Sequence, residues 1–554
     1  MGDGGAASES GNGSPGPAEQ EFDFIATMNK VKDKPCALNR IEIVGDERTK
    51  RRVIERELEV VRSAETLEDL MQSLSDAVDE LNALDIFKTV DAVVSFFRRL
   101  PRRPPPSHPP SSLFHFSLPT GALADPPTTH AFATAASRIA RPKIDAGPDH
   151  LPNTADVTVT VEEKSGYGLH TGLYVQGSET TAEVSGSIKN FFGYAEEFDL
   201  TMSQGNAFSP KTRSGRYTLS WQDNRFLGRK SQLRAQVFRT TSSFLNFSSY
   251  SENKTGLGAD WVSPGGAHKL GYELAWRELF CGRESNNASR EVLQQAGHNL
   301  KSSLKHVAMA DSREVAGALV SRGAAIQATT ELGGIGLDPN TFRFFREEVE
   351  VVAERPVPIL SGLETALELR LKAGVLLPWG KGCFDKPTYI GDRFFLGGTG
   401  DLRGFWIKGA GPTGKCRGAG DNEEADAAEV RPSTSSEGRQ RDALGGDVMF
   451  SALAALNFEV PFAPALKQAG IHAHVYGNAG NCVGLPGYGR QALASCAREL
   501  KEKTRASFGV GLVWSSPIGK LEANYCRVAK AFAHDKWRNG FHFGFSTSNL
   551  DFQH

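Results

Sequence analysis

A chain of 554 residues with 63 Lys and Arg against 65 Asp and Glu has a formal net charge of -2, so no global basic field marks it for nucleic acid. Its mean hydropathy is -0.34 and no run of about 18 consecutive apolar residues occurs, which excludes helical membrane spans but not a membrane β-barrel, whose strands carry their signal in alternation. The seven cysteines, Cys36, Cys281, Cys383, Cys416, Cys482, Cys496 and Cys526, never form Cys-x-x-Cys, a pattern of unpaired thiols in which neither a disulfide framework nor a metal site is expected.

In chain order, residues 1–38 read as a disordered polar tail. The first 20 residues hold no basic residue and no apolar run, so neither a secretory signal nor an Arg-rich transit peptide is expected, and Ala6 breaks the myristoylation pattern. A short strand ends at Gly45. Two amphipathic helices follow, from Lys50 to Val61 with Val53, Leu58 and Val61 on one face, and from Leu67 to Leu84 with Leu67, Leu70, Leu74, Val78 and Leu81. Strands are expected at 87–94 and 156–163, the second from its period-two alternation. Strand, helix, helix, strand, strand suits a small α+β domain over 39–164. Its interior carries a Pro-, Ser- and Ala-rich insert at 96–142, which lacks sustained periodicity and is expected to have no ordered structure.

From about residue 165 to 554 the texture changes to alternating segments of about ten residues punctuated by Gly, Asn, Asp or Pro. Leu270, Tyr272, Leu274 and Trp276 share one face of their segment while Glu273 and Arg277 lie off it. Leu367, Leu369 and Leu371 oppose Glu368, Arg370 and Lys372; Phe508, Val510, Leu512 and Trp514 oppose Gly509 and Gly511. A soluble sandwich with one wet face would also alternate, but over so long a run it would expose too much Trp, Phe and Leu. The fold class is therefore an all-β transmembrane barrel, preceded by the α+β domain. Leaving out the acidic stretch 413–446, strand-plus-loop units of about 22 residues give about 16 antiparallel strands.

One stretch poses a separate question. Gly409-Ala-Gly-Pro-Thr-Gly-Lys-Cys416 nearly spells the phosphate loop GxxxxGK[ST], but Cys416 stands where the magnesium-binding hydroxyl is required, and the residues after it make a poor helix start. No nucleotide or other cofactor is expected. No HExxH array and no GxSxG elbow occurs, which argues against an enzyme.

The run 391-GDRFFLGGTGDLRGFWIKGAGP-412 resembles the signature loop of the BamA-type outer-membrane-protein assembly superfamily, in which an Arg-Gly-Phe/Tyr tip folds back into the barrel lumen. The segment 506-ASFGVGLVWSSPIGKLEANY-525 is similar to the superfamily's penultimate hairpin, while 274-LAWREL-279, 298-HNLKSSLKHVAMADSRE-314 and 475-VYGNAGNC-482 resemble its mitochondrial branch, the central barrels of the sorting and assembly machinery. The resemblance covers about 40–95 and 143–554. It implies that the α+β domain is a single polypeptide-transport-associated (POTRA) domain, and that the signature loop spans about 391–446. It implies that Arg403, Gly404 and Phe405 form the loop tip, and that Arg403 pairs with a lumenal carboxylate, matched here by Glu459. Asn478 stands where some bacterial relatives have Asp, so no second salt bridge is carried over to it.

The same resemblance implies insertion of β-barrel precursors into the mitochondrial outer membrane without a catalytic side chain. The first strand, with Gly168, Leu169 and Thr171, would meet the last, with Gly540, Phe543, Gly544 and Phe545, at a lateral seam where an incoming strand adds by backbone hydrogen bonding. Arg538, Gly540, Phe543 and Phe545 also fit the β-signal pattern expected of any mitochondrial barrel. The implied partners are unfolded β-barrel precursors, metaxin-like accessory subunits, intermembrane-space chaperones and membrane lipid, with the N-terminal domain in the intermembrane space. A polypeptide-translocating channel of the same superfamily, of the plastid import or secretion type, is the alternative; several POTRA repeats or a transit peptide would favour it. A metabolite porin would lack both the POTRA domain and the Arg-Gly-Phe loop.

Overall fold

The computed structural model describes residues 33, 35–97, 115–118, 154–176, 179–205, 213–281, 288–314, 322–336, 342–357, 364–380, 387–417, 441–460, 463–485, 487, 490–516 and 519–546. The chain divides into two compact units, the second beginning at Gly166. The tail expected over 1–38 lies outside the described residues up to residue 32, as does most of the Pro-rich insert, but the end of that stretch is ordered and not tail: Pro35 bridges Thr66, Cys36 is buried and a strand begins at Ala37.

The first unit contains β1 (Ala37–Val44), α1 (Arg51–Glu57), a 3-10 turn (Val60–Ser63), α2 (Leu67–Ala83), β2 (Phe87–Phe97), β3 (His115–Leu118) and β4 (Thr154–Glu163). The apolar stripe of α2 drives its docking: Leu67, Leu70, Leu74, Val78 and Leu81 are all buried, in one core with Val90, Val94, Val157 and Val159 of the sheet. Thr66 and Asp69 form a reciprocal capping box that fixes where α2 begins. The sheet runs β1-β4-β2-β3, with β1 parallel to β4 and the other pairs antiparallel.

Two sequence expectations are corrected here. The first helix stops at Glu57, and Val60–Ser63 turns as a 3-10 segment, which lets both Leu58 and Val61 reach the core. The insert is not wholly without regular structure: His115–Leu118 pairs antiparallel with Ala92–Ser95 as an edge strand. Phe114, Phe116 and Leu118 alternate with His115 and Ser117, a short period-two signal masked by the surrounding prolines.

The carboxylate at the end of β4 ties down the segment after β1. Glu163 accepts from the Thr49 backbone N–H and hydroxyl, both at 2.7 Å, from the Arg48 N–H at 3.0 Å and from Arg48 Nε at 2.8 Å. Burial, the largest single influence, opposes ionisation, but the bonds from Thr49 and Arg48 together outweigh it and hold Glu163 below the usual carboxylate range. A depressed native pKa stabilises the fold above the unfolded carboxylate pKa, and that stability is lost as pH falls through the native value. Glu163→Gln is therefore expected to cost about 1–3 kcal/mol at neutral pH and to flatten the acid dependence, read as amide exchange of β4 in the full-length protein.

The second unit is a sixteen-stranded antiparallel sheet. Its first half consists of β5 (Tyr167–Gln176), β6 (Glu179–Lys189), β7 (Glu196–Gly205), β8 (Ser214–Asp223), β9 (Gln232–Ser243), β10 (Ser251–Val262), β11 (His268–Phe280) and, after the short α3 (Arg290–Leu293), β12 (Gly297–Asp311). β13 (Gly323–Gly333), β14 (Phe344–Pro356) and β15 (Thr365–Pro378) continue it, and β16 (Thr413–Lys415) then pairs with β17 (Arg441–Ala443) as a separate hairpin. β18 (Val448–Glu459), α4 (Pro464–Gln468), β19 (Ile471–Val483), α5 (Arg490–Glu502), β20 (Arg505–Ser516), β21 (Gly519–Lys530) and β22 (Gly540–Ser546) complete the chain. Each strand pairs with its sequence neighbour except that β15 pairs with β18, which expels the segment between them from the wall. β5 and β22 lie alongside each other and close the sheet into a barrel, yet no hydrogen-bonded ladder joins them among the described residues.

The alternation sorts as the barrel reading requires. Leu270, Tyr272, Trp276, Leu369, Leu371, Phe508, Val510, Leu512 and Trp514 are exposed on the outer face, while Arg277, Glu368, Ser507 and Gly509 are buried on the inner one. Exposed apolar side chains around a closed wall are what lipid contact demands. Among the described residues no helix is long and apolar enough to cross a membrane.

Candidate functional site

The segment between β15 and β18 folds into the barrel, and its sequence explains how. A 3-10 turn at Ile390–Asp392 leads into isolated bridges Phe394↔Gly446, Leu396↔Ala410 and Gly398↔Leu402, so the loop doubles back on itself with its tip near Thr399 to Gly404. Leu396, Leu402, Phe405 and Ala410 bury against Phe344, Leu376 and Met449 of the inner wall. The stretch resembling a phosphate loop is part of this construction: Thr413–Lys415 is the strand β16, paired with Arg441–Ala443, and not a loop leading into a helix.

Arg403 is 6% exposed, and its Nη2 donates to Glu522 on β21 at 2.8 Å. Its guanidinium also lies 4.6 Å from the centroid of the Tyr476 ring on β19. The backbone of Arg403 is held as firmly as its side chain. Ser507 Oγ donates to its carbonyl at 2.6 Å, and Asn478, with its amide oriented to satisfy its neighbours, accepts from its N–H at 2.6 Å. Gly404 has φ +87°, and a Cβ there would sit 2.7 Å from Cys526 Sγ, so the tip requires glycine twice over. Phe405 is 2% exposed and bridges to Trp537 in the loop before β22.

The carboxylate expected to receive Arg403 is a different one. Glu459 shares the inward parity of Ser451, Leu453 and Ala455, but it is the last residue of β18 and pairs with Lys467 of α4 at 2.5 Å. The loop tip reaches β20 and β21 instead, where Glu522 faces inward with Asn524 and Cys526. Asn524 steadies Glu522 through a 3.0 Å bond to Oε2, and His474 Nε2 sits 2.6 Å from Asn524 Oδ1. The Gly-x-Gly of β20 makes room for this group. A Cβ on Gly509 would lie 2.6 Å from the Tyr476 hydroxyl, and one on Gly511 2.0 Å from Asn524 Oδ1.

Sequence reasoning also missed the loop's root. Arg277 on β11 donates through Nη1 to both Asp392 oxygens at 2.8 and 2.9 Å, and its Nε donates to Asn299 at 2.7 Å. Lys301 lies 3.8 Å from Asp392 and 2.7 Å from Glu331, while the Tyr389 hydroxyl donates to Glu252 at 2.9 Å. Two stretches singled out separately, LAWREL and GDRFF, are thus the two halves of one buried ion pair. Further along, Lys408 Nζ lies 4.2 Å from the Phe395 ring centroid and 4.5 Å from those of Phe244 and Phe247, and Asp442 receives bonds from Ser249 Oγ and the Ser289 N–H.

At the barrel's closure, Leu169 is 74% and Phe543 73% exposed on the outer face, with Thr171 exposed beside Leu169. Gly168 and Gly544 point inward; a Cβ on Gly544 would meet Thr399 of the loop tip at 3.1 Å. Gly540 opens β22 opposite Cys526, and Phe545 pairs with Leu521 of β21. β22 therefore has one hydrogen-bonded neighbour, β21, among the described residues.

The whole-chain comparisons agree with this geometry. The chain is 28% identical to the mouse protein named "Sorting and assembly machinery component 50 homolog", over 96% of this chain and 95% of that one, and 28% identical to its namesake in Xenopus tropicalis, over 93% and 91%. The crystal structure of BamA from Haemophilus ducreyi lacking POTRA domains 1-3 superposes with a TM-score of 0.60 at 16% identity, covering 92% of this chain and 84% of that one, and so shares the fold. The Omp85 superfamily domain matches residues 190–549, a span that holds every strand from β7 to β22 and the folded-in loop, and the chain belongs to that superfamily.

Proposed function

We propose that this chain is the barrel component of a sorting and assembly machinery and inserts β-barrel precursor proteins into the mitochondrial outer membrane. The observation that carries the reading is the closure of the sheet: β5 and β22 are neighbours with no ladder between them among the described residues, while every other adjacent pair has one. A strand edge with unsatisfied N–H and C=O groups is a template for another strand. An incoming precursor strand would add at this lateral seam by β-augmentation, along Gly168 to Thr171 or Gly540 to Phe545, where inward glycines weaken side-chain packing.

The residues of the folded-in loop supply position and not chemistry. Arg403, Gly404 and Phe405 set the inner wall behind β20 to β22, and no covalent step needs a side chain. The α+β unit is read as a POTRA domain lying in the intermembrane space, where it would receive precursors from chaperones. Metaxin-like subunits and lipid complete the expected surroundings. In isolated mitochondria depleted of this protein, a radiolabelled porin should reach the intermembrane space and fail to acquire its heat-resistant, membrane-embedded form. Normal porin insertion combined with failure of a soluble precursor to cross a membrane would make the chain a translocation channel instead.

A further inference from the structure

The connection between β21 and β22 is held more tightly than a surface loop needs to be. Asp535 is 3% exposed and Arg505, at the start of β20, 5%. Arg505 Nε donates to both Asp535 oxygens at 3.0 and 2.8 Å, and Nη2 to Oδ1 at 2.8 Å. Nη1 donates to Asn481 Oδ1, and the Phe532 N–H caps Asp535 Oδ2 at 2.8 Å. This is a bidentate pair of the strong kind, withdrawn from solvent.

The next three residues are stitched to the tip of the folded-in loop. The Lys536 N–H donates to the Gly409 carbonyl at 2.8 Å, the Trp406 N–H to the Lys536 carbonyl at 3.0 Å and the Arg538 N–H to the Gly404 carbonyl at 2.9 Å, while Trp537 bridges Phe405. Asn539 then accepts from the Val528 N–H at 2.8 Å, and β22 begins at Gly540. Four residues on, Gly544 approaches Thr399 so closely that a Cβ would lie 3.1 Å from its hydroxyl. The loop therefore touches the last strand at Gly544 and holds the segment leading into Gly540. No ladder to β5 supports the strand from the other side among the described residues.

We infer that the Arg505–Asp535 pair is a latch. It fixes the connection before β22 against the loop tip and thereby holds the last strand in place from inside the lumen, and its release lets β22 part from β5. Arg505 and Asp535 are positioning residues, since neither touches the strand edge itself. The inference rests on the reading of that edge as the seam that accepts precursors.

The test is hydrogen exchange of the full-length protein in lipid nanodiscs, resolved by segment, with precursor assembly measured on the same variants. Asp535→Asn keeps the side chain's size and removes its charge; exchange is expected to rise at least tenfold over 531–546 and to stay unchanged over β18 to β20. Arg505→Lys, which retains the charge but not the bidentate fork, should give a smaller rise over the same segment. Asp535→Glu should restore protection. Unchanged exchange over 540–546 in Asp535→Asn would overturn the latch and leave the seam reading intact. Exchange rising equally in β18 to β21 would also overturn it, because the pair would then stabilise the wall in general. Should Asp535→Asn fail to fold, Arg505→Lys alone decides between these outcomes. A freed β22 with precursor assembly unaltered would uphold the latch as a structural device and count against the seam as the precursor's site.

Discussion

Arg403→Ala should leave a folded barrel whose initial rate of precursor assembly has fallen at least tenfold. None of the sixteen strands' ladders uses Arg403, which stands on the loop, so heat-modifiable mobility and membrane extraction should match the wild type. The loss arises inside the lumen. Glu522 is 13% exposed at its side chain, and without Arg403 it stays as a carboxylate behind the wall that has lost the guanidinium 2.8 Å from it. Breaking one partner of a buried pair costs about 3–5 kcal/mol, much of which is the charge left behind. Relief of that cost moves the tip, and with it Thr399 and the backbone that clasps the segment before β22. Arg403→Lys keeps a charge without the planar fork that stacks on Tyr476, and should lie between the two. Pulse-chase assembly of a porin precursor in mitochondria complemented with each variant gives the comparison. Equal loss of the barrel itself in Arg403→Ala would refute the assignment.

The second large effect is at the loop's root. Asp392→Asn removes the carboxylate that takes two bonds from Arg277 and lies near Lys301, leaving two inward cations short of a counter-charge. A cost of about 3–5 kcal/mol is expected, read as a lower denaturant midpoint in detergent micelles and as new protease sensitivity between residues 387 and 398. The double variant Arg277→Met with Asp392→Leu should be less destabilised than either single change, because apolar residues of similar volume replace the pair and Lys301 keeps Glu331 at 2.7 Å as its counter-charge. A double variant whose cost equals the sum of the singles would mean that the two side chains act independently.

The wall was legible in the sequence because a period of two is a property of neighbours along one strand. Nothing remote is needed to read it: Phe508, Val510, Leu512 and Trp514 declare their face by themselves. The tip was legible because Arg403-Gly404-Phe405 is contiguous. The partner of Arg403 was not, since alternation assigns a face to both Glu459 and Glu522 but no height along the barrel. Height depends on bridges such as Phe405↔Trp537, which join segments far apart in the chain. Glu522 stands inside the hairpin motif 506–525, between outward Leu521 and outward Tyr525, so its inward parity was there to be read. Arg277 was likewise visible as a charge off an apolar face and Asp392 as the acidic residue that opens the loop run, with nothing local to join them. The strand His115–Leu118 was hidden for the opposite reason: a run of four residues is too short to outweigh the prolines around it.

A sheet of sixteen strands rolled into a barrel would, left empty, enclose an aqueous channel of porin size. Here Leu396, Leu402, Phe405 and Ala410 bring an apolar wad into that bore and seat it on Phe344, Leu376 and Met449. Part of the bore is thus hydrocarbon where a porin would offer water. The resting protein should accordingly be a poor conductor for its diameter, able to sit in a membrane without short-circuiting it, and a polypeptide that avoids displacing the wad must travel along the wall.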